Sequence, residues 1–404
     1  MKTYYIKRKA EDKLLKLSKS FPAIALTGPR QTGKSTLVKH LFGKTHRYIN
    51  LDDPFEREKA VSDPRLFIDE TEGKVIIDEI QYAPELLHYI KIKIDNERQK
   101  KGNFILTGSQ QFTMIKNLSE SLAGRIALLE LLPFSSSEIK DKRNGTILNR
   151  FTDGCLKGLF PELIVNKNML PQEWYAAYIN TYLEKDVRSI NDIGNLRDYH
   201  RFMQLLASRT SQILNMSSLS NDLGVSVNTV KKWISVLEAC RIIFLLPPYY
   251  ENFGKRITKS PKIYFLDCGL VCYLTGIKDK EHLLKGPMAG ALFETFCIQE
   301  IIKEYLAYGK RPELYYLRTN NELEVDLMIK GNNNLMYPVE IKMTKTPKLK
   351  MANSIKKIKD VFNKLRFGEG IILSLSDEKI SLTKDVKIKP LNHFIDFLDN
   401  QILA

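Results

Sequence analysis

The stretch from Gly28 to Thr36, GPRQTGKST, constrains the fold of this chain more than any other feature. It matches the pattern G-x-x-x-x-G-K-[ST], in which a glycine-rich loop curls its backbone N–H groups around phosphate oxygens. An apolar segment, FPAIALT, precedes the loop and a helical segment, STLVKHLF, follows it. A strand, a phosphate loop and a helix in this order predict a nucleotide site on a parallel α/β sheet.

The loop supplies the predicted ATP contacts. Lys34 is expected to reach the β- and γ-phosphates, and the Ser35 hydroxyl to bind Mg²⁺. The helix that follows directs its positive N-terminus at the same anion. The predicted nucleotide-binding residues are Gly28, Pro29, Arg30, Gln31, Thr32, Gly33, Lys34, Ser35 and Thr36.

Two further strands carry polar residues at their ends. The apolar segment KVIIDEI ends in Asp78 and Glu79. Asp78 is expected to hold the magnesium ion through water and Glu79 to activate the attacking water; a solvated acidic loop is the alternative. The strand FILTGSQ ends in Thr107 and Ser109, where a polar group either senses the γ-phosphate, orients the water or belongs to an ordinary turn.

One arginine is a candidate for a catalytic role between subunits. Arg125 lies in SLAGRIALLEL and is interpreted as an arginine finger, acting in its own subunit or a neighbouring one. This interpretation implies a possible homo-oligomer. The alternative is that Arg125 forms a surface ion pair.

The order of segments predicts four regions. Strands alternate with helices up to the polar stretch SSSEIKDKRNGT, and such alternation is typical of a parallel sheet with helices on both faces. We predict a P-loop ATPase domain at 1–145, a helical lid or linker at 146–205, a winged helix-turn-helix at 206–255 and a mixed α/β domain at 256–404. The fold class is therefore α/β.

The segment SSLSNDLGVSVNTVKKWISVLEACRIIFLL predicts the helix-turn-helix. Gly224 is placed at the turn and Ser226 at the N-cap of the second helix. Lys231 and Lys232 lie on that helix, where DNA phosphates would be, and Trp233 is expected in the core. The unit either binds DNA or serves as a structural lid on the ATPase.

Composition and net charge indicate which classes of binding partner to expect. The chain of 404 residues has a formal net charge of +15, which favours anionic partners such as nucleic acid, although lysine and arginine can also simply solubilise a protein. Five scattered cysteines indicate reduced thiols and a cytoplasmic location. No apolar run is long enough to span a bilayer and the N-terminus does not look like a secretory signal, so we expect no membrane partner.

The motifs occur in an order that resembles one known family. ALTGPRQTGKSTLVKHL, YINLDDP, VIIDEIQYAPELL, FILTGSQQF and SLAGRIALLELLPFS are followed by LSNDLGVSVNTVKKWISVLEACRIIFLLPPY, GALFETF, EVDLMI and VEIK. Together they resemble the prokaryotic AAA-type ATPases that carry a C-terminal domain of unknown function. The resemblance covers nearly the whole chain. It implies an ATPase core, a winged-helix module and a C-terminal domain similar to restriction-endonuclease-like folds.

The nuclease-like resemblance implies a second site in the C-terminal domain. Asp326 ends the segment ELEVD, and Glu340 and Lys342 share one face of the strand PVEIK. Asp326 and Glu340 would hold a divalent cation, with Glu294 as an additional ligand, and Lys342 would orient the attacking water. The alternative is a structural ion pair of the acids with Arg318 or Lys342.

Three functions fit these observations. The first is an ATPase that couples nucleotide binding and hydrolysis to DNA handling, with metal-dependent cleavage in the C-terminal domain. The second is an ATP-dependent switch whose C-terminal domain binds nucleic acid or protein without cutting. The third is an ATP-driven signalling or defence module that acts on another protein. Replacing Asp326 or Lys342 separates the first from the others, since only a nuclease would lose DNA cleavage.

Overall fold

A computed structural model describes most of the chain. The described residues are 5–108, 122–139, 145–183, 196–249, 260–319, 323–362 and 364–403. Ser109 lies outside them, so its predicted role stays a prediction.

Five parallel strands form the N-terminal sheet. They are β1 (Ala23–Thr27), β2 (Arg47–Asn50), β3 (Val75–Asp78), β4 (Phe104–Gly108) and β5 (Ile126–Glu130), in the order β2-β3-β4-β1-β5. The flanking helices are α1 (Ala10–Ser20), α2 (Lys34–Phe42), α3 (Pro54–Ser62), α4 (Pro64–Asp69) and α5 (Leu86–Asn96).

Alternate residues of β1 pack into two different cores. Ala23 and Ala25 face the side covered by α4 and α5, whereas Ile24 and Leu26 face the side covered by α1 and α2. Because side chains alternate along a strand, a strand that is buried at every position must be covered on both faces. This confirms the predicted α/β fold class with helices on both sides of a parallel sheet.

A helical region follows the sheet. Its helices are α6 (Ile147–Leu156), α7 (Pro161–Val165), α8 (Pro171–Tyr178) and α9 (Leu196–Ser208). The aromatic residues Phe160, Trp174 and Tyr178 pack on one another at the junction of α7 and α8. This region lies beside the phosphate loop, as described below.

Two helices joined by a tight turn come next. They are α10 (Met216–Leu223) and α11 (Val227–Ala239). Gly224 takes the left-handed conformation with φ 69°, and the Ser226 hydroxyl accepts a hydrogen bond from the Thr229 N–H at 3.1 Å, so the predicted turn and N-cap are confirmed. Trp233 is buried as expected.

The strand β6 (Ile243–Leu246) pairs antiparallel with β7 (Lys262–Phe265). The segment KIYFLD, which lies in the predicted mixed α/β domain at 256–404, forms β7 and so pairs with the strand that follows the helix-turn-helix unit. In this register Ile243 lies opposite Phe265, and four residue pairs are formed. Strand pairing of this kind depends on residues distant in sequence, which a local pattern does not reveal.

The C-terminal region contains a six-stranded mixed sheet. Its strands are β8 (Leu314–Arg318), β9 (Glu324–Lys330), β10 (Met336–Lys342), β11 (Gly370–Ser374), β12 (Ile380–Ser381) and β13 (Val386–Lys389), in the order β12-β13-β11-β10-β9-β8. The helices are α12 (Cys268–Thr275), α13 (Lys280–Lys285), α14 (Ala289–Ala307), α15 (Asn353–Val361) and α16 (Leu391–Leu398). The pairs β8/β9 and β9/β10 are antiparallel, and β10/β11 and β11/β13 are parallel.

Helix α14 joins the regions into one body. Between Leu292 and Leu306 every residue except Glu294 is buried, which is typical of a helix enclosed on all sides. One continuous hydrophobic core runs through the helical region, the helix-turn-helix unit and the C-terminal sheet. The three regions predicted after residue 145 therefore share one hydrophobic core. The boundaries between them stay predictions.

Candidate functional site: a phosphate loop and a carboxylate–lysine cluster

The phosphate loop is held in a shape that only glycine allows at its first position. Gly28 has φ 139°, and a Cβ atom there would lie 2.2 Å from the backbone oxygen of Leu131. Gly33 has φ 87° and caps the N-terminus of α2. These left-handed conformations turn the chain sharply between β1 and α2, which places the loop at the N-terminus of the helix.

Lys34 is the first residue of α2, and its side chain folds back into the loop. Its side chain is buried, and its ammonium donates to the backbone oxygens of Gly28 at 2.9 Å and Pro29 at 2.7 Å. The Thr32 hydroxyl also donates to Pro29 O at 2.9 Å. A buried ammonium inside a curled backbone suits a phosphate group, because both the lysine and the loop offer donors.

Asp78 is oriented by two hydroxyl groups. The Tyr48 hydroxyl donates to one carboxylate oxygen and the Thr107 hydroxyl to the other. Burial and the neighbouring Asp78 carboxylate raise the pKa of Tyr48 well above its usual value, so the tyrosine remains a donor. Thr107 Oγ1 also accepts from the Glu79 N–H at 3.3 Å. Thr107, which the sequence marks as a polar residue at the end of β4, therefore holds the acidic pair in place; its contacts with Asp78 and Glu79 are not part of the sequence prediction.

Glu79 occupies a backbone conformation that is unusual for its residue type. Its φ is 58°, in the left-handed region, and its carboxylate accepts from the Gln81 side-chain amide. Strained backbone conformations of non-glycine residues cluster at functional sites, where the surrounding structure maintains them. Glu79 also faces the same cleft as Lys34 and Ser35.

This cleft has two walls and a volume of about 660 Å³, within the range of small-molecule sites. One wall is the phosphate loop with Glu79. The other comes from the helical region and includes Pro161, Trp174 and Tyr178, whose last two rings stack with centroids 5.0 Å apart. The loop can thus hold phosphates while the aromatic wall offers an apolar surface. We had not predicted these aromatic contacts, because they come from a segment far along the chain.

Arg125 lies at the far end of the sheet from the phosphate loop. It directly precedes β5, which runs parallel to β1, whereas Gly28 directly follows β1. Its guanidinium forms a two-pronged ion pair with Asp95, with nitrogen–oxygen distances of 2.6 and 3.0 Å. This is the surface ion pair named as the alternative. Arg125 does not reach the loop of its own chain, and action on a neighbouring subunit stays a prediction.

Arg8 is a buried residue of the site that sequence patterns missed. Its guanidinium donates to Thr32 O at 2.9 Å, to Leu132 O at 2.7 Å and to Glu138 Oε1 at 3.0 Å. It also lies over the Phe134 ring, 4.5 Å from its centroid. A single side chain therefore connects the phosphate loop to the segment that follows β5. In the sequence, Arg8 stands between two lysines and nothing distinguishes it.

Three regions of the chain match known protein families. Residues 20–140 match the family described as AAA domain, residues 148–281 a domain of unknown function, DUF8612, and residues 289–394 another domain of unknown function, DUF4143. An uncharacterized protein of Mycobacterium tuberculosis, Rv2008c, is 31% identical over 345 residues, which cover 85% of this chain and 75% of that protein. This chain belongs to the family of AAA-domain proteins that carry a C-terminal DUF4143 domain.

Other relatives and structures are more distant. The uncharacterized protein MJ1544 of Methanocaldococcus jannaschii is 22% identical over 363 residues, covering 83% of this chain and 78% of that protein. Among solved structures, a Walker-type ATPase of Pyrococcus abyssi is 15% identical, with a TM-score of 0.45, and covers 67% of this chain and 96% of its own. The Holliday junction branch migration motor RuvB of Thermotoga maritima has a TM-score of 0.30 and 17% identity, and covers 60% of this chain and 90% of its own.

In the DUF4143 domain, three residues predicted for the second site come together. The Lys342 ammonium lies 3.0 Å from Asp326 Oδ2 and 2.6 Å from Glu340 Oε2. Asp326 Oδ2 also accepts from the Ile341 N–H at 2.8 Å, and Glu340 Oε1 accepts from the Ser354 hydroxyl. We call Asp326, Glu340 and Lys342 the C-terminal triad.

Burial and neighbouring charges shift the pKa values of Glu340 and Lys342. Burial, followed by repulsion from Asp326, raises the pKa of Glu340 to about 7. Burial lowers the pKa of Lys342, but the carboxylates of Asp326 and Glu340 outweigh this effect and raise it above its usual value. Lys342 is therefore a permanent cation between the two acids. Arg318, the other partner considered, instead lies 3.8 Å from Glu324.

Glu294 has partners outside the triad. It accepts from the Tyr264 hydroxyl, and its carboxylate lies 3.5 Å from the Lys262 ammonium. Lys262 is buried on β7 and also pairs with Glu324 at 2.7 Å. Burial, then the charge of Asp326, raises the pKa of Glu294 to about 7. The strand β7 thus brings a second lysine to the edge of the C-terminal site.

The described residues do not fit the predicted divalent metal. Within the described ranges there is no group of three or more histidine, cysteine, aspartate or glutamate side chains arranged to hold an ion. Glu294 bonds to Tyr264 and Lys262, and the Lys342 ammonium occupies the position between Asp326 and Glu340. The expectation of a second metal on Glu294, Asp326 and Glu340 is therefore not supported, because lysine nitrogens already neutralise these acids.

The structure also bears on the cysteines, on membrane-spanning helices and on the exposure of the lysines of α11. All five cysteines are free and buried. Over the described part of the chain, none of the helices combines the length and apolar character needed to cross a membrane. Lys231 and Lys232 are exposed on α11, as a DNA contact requires.

Proposed function

We propose that this protein is an ATPase whose nucleotide state controls the handling of nucleic acid by its C-terminal domain. The observation that carries the ATPase half is the convergence of Lys34, Ser35 and Glu79 on one cleft, with the buried Asp78 directly before Glu79 at the end of β3. Lys34 binds the phosphates, and Ser35 with Asp78 would hold Mg²⁺. The bound ion would neutralise phosphate charge, and Glu79 would take a proton from the attacking water.

A buried polar network supports coupling between the two ends of the molecule. Arg8 holds the phosphate loop through Thr32 O. From the same segment, the Lys9 ammonium binds Glu304 Oε1 on α14 at 2.6 Å. Further contacts to α14 come from the chain after β5: the Ser136 N–H donates to Glu300 Oε2 at 2.6 Å, and Lys303 donates to Phe134 O at 2.9 Å.

Helix α14 then continues to the C-terminal site. Its first half carries Glu294, which contacts Lys262 and Tyr264 beside the triad, and the helix also packs on β10. A rigid helix that contacts the second site directly, and the phosphate loop through the segment of Arg8 and Lys9, is a physical route for coupling if the two nucleotide states hold it differently. We infer that α14 transmits the state of the phosphate loop to the triad.

Nucleic acid is the proposed partner of the C-terminal domain. The support is the net charge of +15 and the exposed Lys231 and Lys232 on the second helix of the helix-turn-helix unit. Binding without cleavage is favoured because the Lys342 ammonium already pairs with both acids of the triad. Cleavage is a second candidate, favoured by the juxtaposition of Asp326, Glu340 and Lys342 on neighbouring strands.

The ATPase assignment is tested by turnover measurements on purified protein. Lys34→Ala should abolish ATP binding or turnover, because the buried ammonium is lost. Lys100→Ala is the matched control, since it removes one positive charge from an exposed position just before β4. Unchanged turnover in Lys34→Ala would refute the assignment.

Cleavage is tested by incubating plasmid and linear DNA with Mg²⁺ or Mn²⁺, with and without ATP. An active nuclease would lose cleavage in Asp326→Ala while ATP turnover survives. Retention of intact DNA by the wild type under all these conditions, together with salt-dependent binding, supports the switch. A protein that neither cuts nor binds nucleic acid would favour a protein target instead.

A further inference from the structure

A lysine-rich segment borders the C-terminal triad. Residues 343–359, MTKTPKLKMANSIKKIK, contain six lysines and no acidic residue. Five of them, Lys345, Lys348, Lys350, Lys356 and Lys357, are exposed, and we call these five the lysine rim. We propose that the lysine rim binds the phosphate backbone of a nucleic-acid strand and guides it along the groove of the triad. This inference rests on the proposed function and names the surface that performs it.

The rim concentrates positive charge on a short stretch of chain. Residues 345–357 contain all five of its lysines and no acid, and among the described residues none of the five forms an ion pair, whereas Lys100 pairs with Glu97 and Lys285 with Glu281. Neighbouring like charges repel one another and normally alternate with acids on a merely solvated face. An unpaired row of ammonium groups is relieved when phosphates bind and their counterions are released.

The rim is fixed relative to the triad. Ile355 and Ile358 anchor α15 in the core, so Lys356 and Lys357 point outward. The Ser354 hydroxyl donates to Glu340, which ties the start of α15 to the triad. The orientation of the rim is therefore set by packing and by a hydrogen bond to the site itself.

The rim and the triad share one groove of about 850 Å³. Lys350 and Lys357 line it together with the triad, and the acids Glu324 and Asp360 also line it. A polyanion would be repelled by the acids of the floor and attracted by the lysines. A strand held by the rim thus keeps its phosphates on the lysines and passes over the triad. Lysines act as point charges without the planar geometry of arginine, which predicts binding without sequence preference.

The test measures binding of a labelled duplex and of the corresponding single strand as a function of salt, by fluorescence anisotropy on the full chain. The rim variant is Lys350→Ala with Lys357→Ala, both in the groove. The matched control is Lys100→Ala with Lys101→Ala, which removes the same charge just before β4 in the ATPase domain. All variants change exposed or partly exposed lysines, and ATP turnover checks that each is folded.

The rim variant should lose affinity by on the order of tenfold or more at 0.1 M salt. The slope of the logarithm of its binding constant against the logarithm of the salt concentration should be shallower by about 1.4 to 1.8. The control should bind like the wild type. Equal loss in both variants, or none in the rim variant, would overturn the inference while nucleic-acid binding still stands. Failure of the wild type to bind either form would refute both the inference and the nucleic-acid part of the proposed function. A preference for duplex or single strand identifies which form occupies the groove.

Discussion

Replacing Arg8 with methionine should weaken both the fold and the phosphate loop. The side chain keeps its apolar length but loses the three hydrogen bonds of its guanidinium, which is only 6% exposed. Two backbone oxygens, of Thr32 and Leu132, would lose this donor, and Glu138 would lose its cation. Glu138 keeps bonds from the Lys9 and Ser135 N–H groups, at 2.7 and 2.8 Å.

The expected cost follows from these contacts. Breaking a buried ion pair by removing one partner costs about 3–5 kcal/mol in the free energy of unfolding. The bonds kept by Glu138 place Arg8→Met toward the lower end of that range. Because Thr32 belongs to the phosphate loop, ATP turnover should also fall by roughly 10- to 100-fold. Arg8→Lys should recover only part of both losses, since one ammonium cannot reproduce the planar fork that serves three acceptors.

The assay combines urea unfolding with steady-state ATP turnover. Arg241→Met is the matched control, because Arg241 makes a two-pronged ion pair with Glu130 at 2.8 Å but is more exposed, at 27%. That control should cost about 1 kcal/mol or less and leave turnover intact. The reasoning on Arg8 is refuted if Arg8→Met unfolds at the same urea concentration as the wild type, or if its turnover matches that of the control.

Three further perturbations follow from the described contacts. Glu79→Gln should keep ATP affinity and lower turnover by about 100-fold or more, which nucleotide binding and phosphate release measure separately; equal turnover would exclude Glu79 as the base. Gly28→Ala should destabilise the ATPase domain by at least about 2 kcal/mol in thermal unfolding, because its Cβ would lie 2.2 Å from the oxygen of Leu131; a neutral effect would contradict the loop geometry. Burial raises the pKa of Glu304 from 4.5 to about 7, so the native state binds an extra proton and stability falls as pH rises from about 4.5 to 7. Glu304→Gln should flatten that fall, and an unchanged pH profile would contradict the assignment.

Much of the ATPase domain was predictable because its signals are local. The apolar runs of β1, β3 and β4, the loop glycines and Lys34 all lie within short windows, and the parallel sheet follows from their alternation with helices. The strand β5 was not predicted as a strand. Burial alternates along β5 instead of forming a continuous apolar run. Arg125 directly precedes this strand, and its interpretation as an arginine finger did not consider that this end of the sheet is opposite the phosphate loop.

The C-terminal site was predictable only in part. The alternation of PVEIK correctly placed Glu340 and Lys342 on one face, and the pairing of β9 with β10 brings Asp326 beside them. The partners of Glu294 come from β7, which precedes it by about 30 residues that include the helices α12 and α13, and which pairs with β6. Contacts of this kind depend on tertiary packing. The role of Arg8 could not be predicted for the same reason, because its acceptors are 24 to 130 residues away along the chain.

The most direct test of the account is the affinity for nucleic acid measured with a non-hydrolysable ATP analogue and with ADP. If the phosphate loop controls the C-terminal domain, the two nucleotides should give different affinities, and nucleic acid should change the ratio of the affinities for ATP analogue and ADP by the same factor. Lys34→Ala should bind nucleic acid equally in both conditions. Equal affinity of the wild type with ATP analogue and ADP would contradict the coupling.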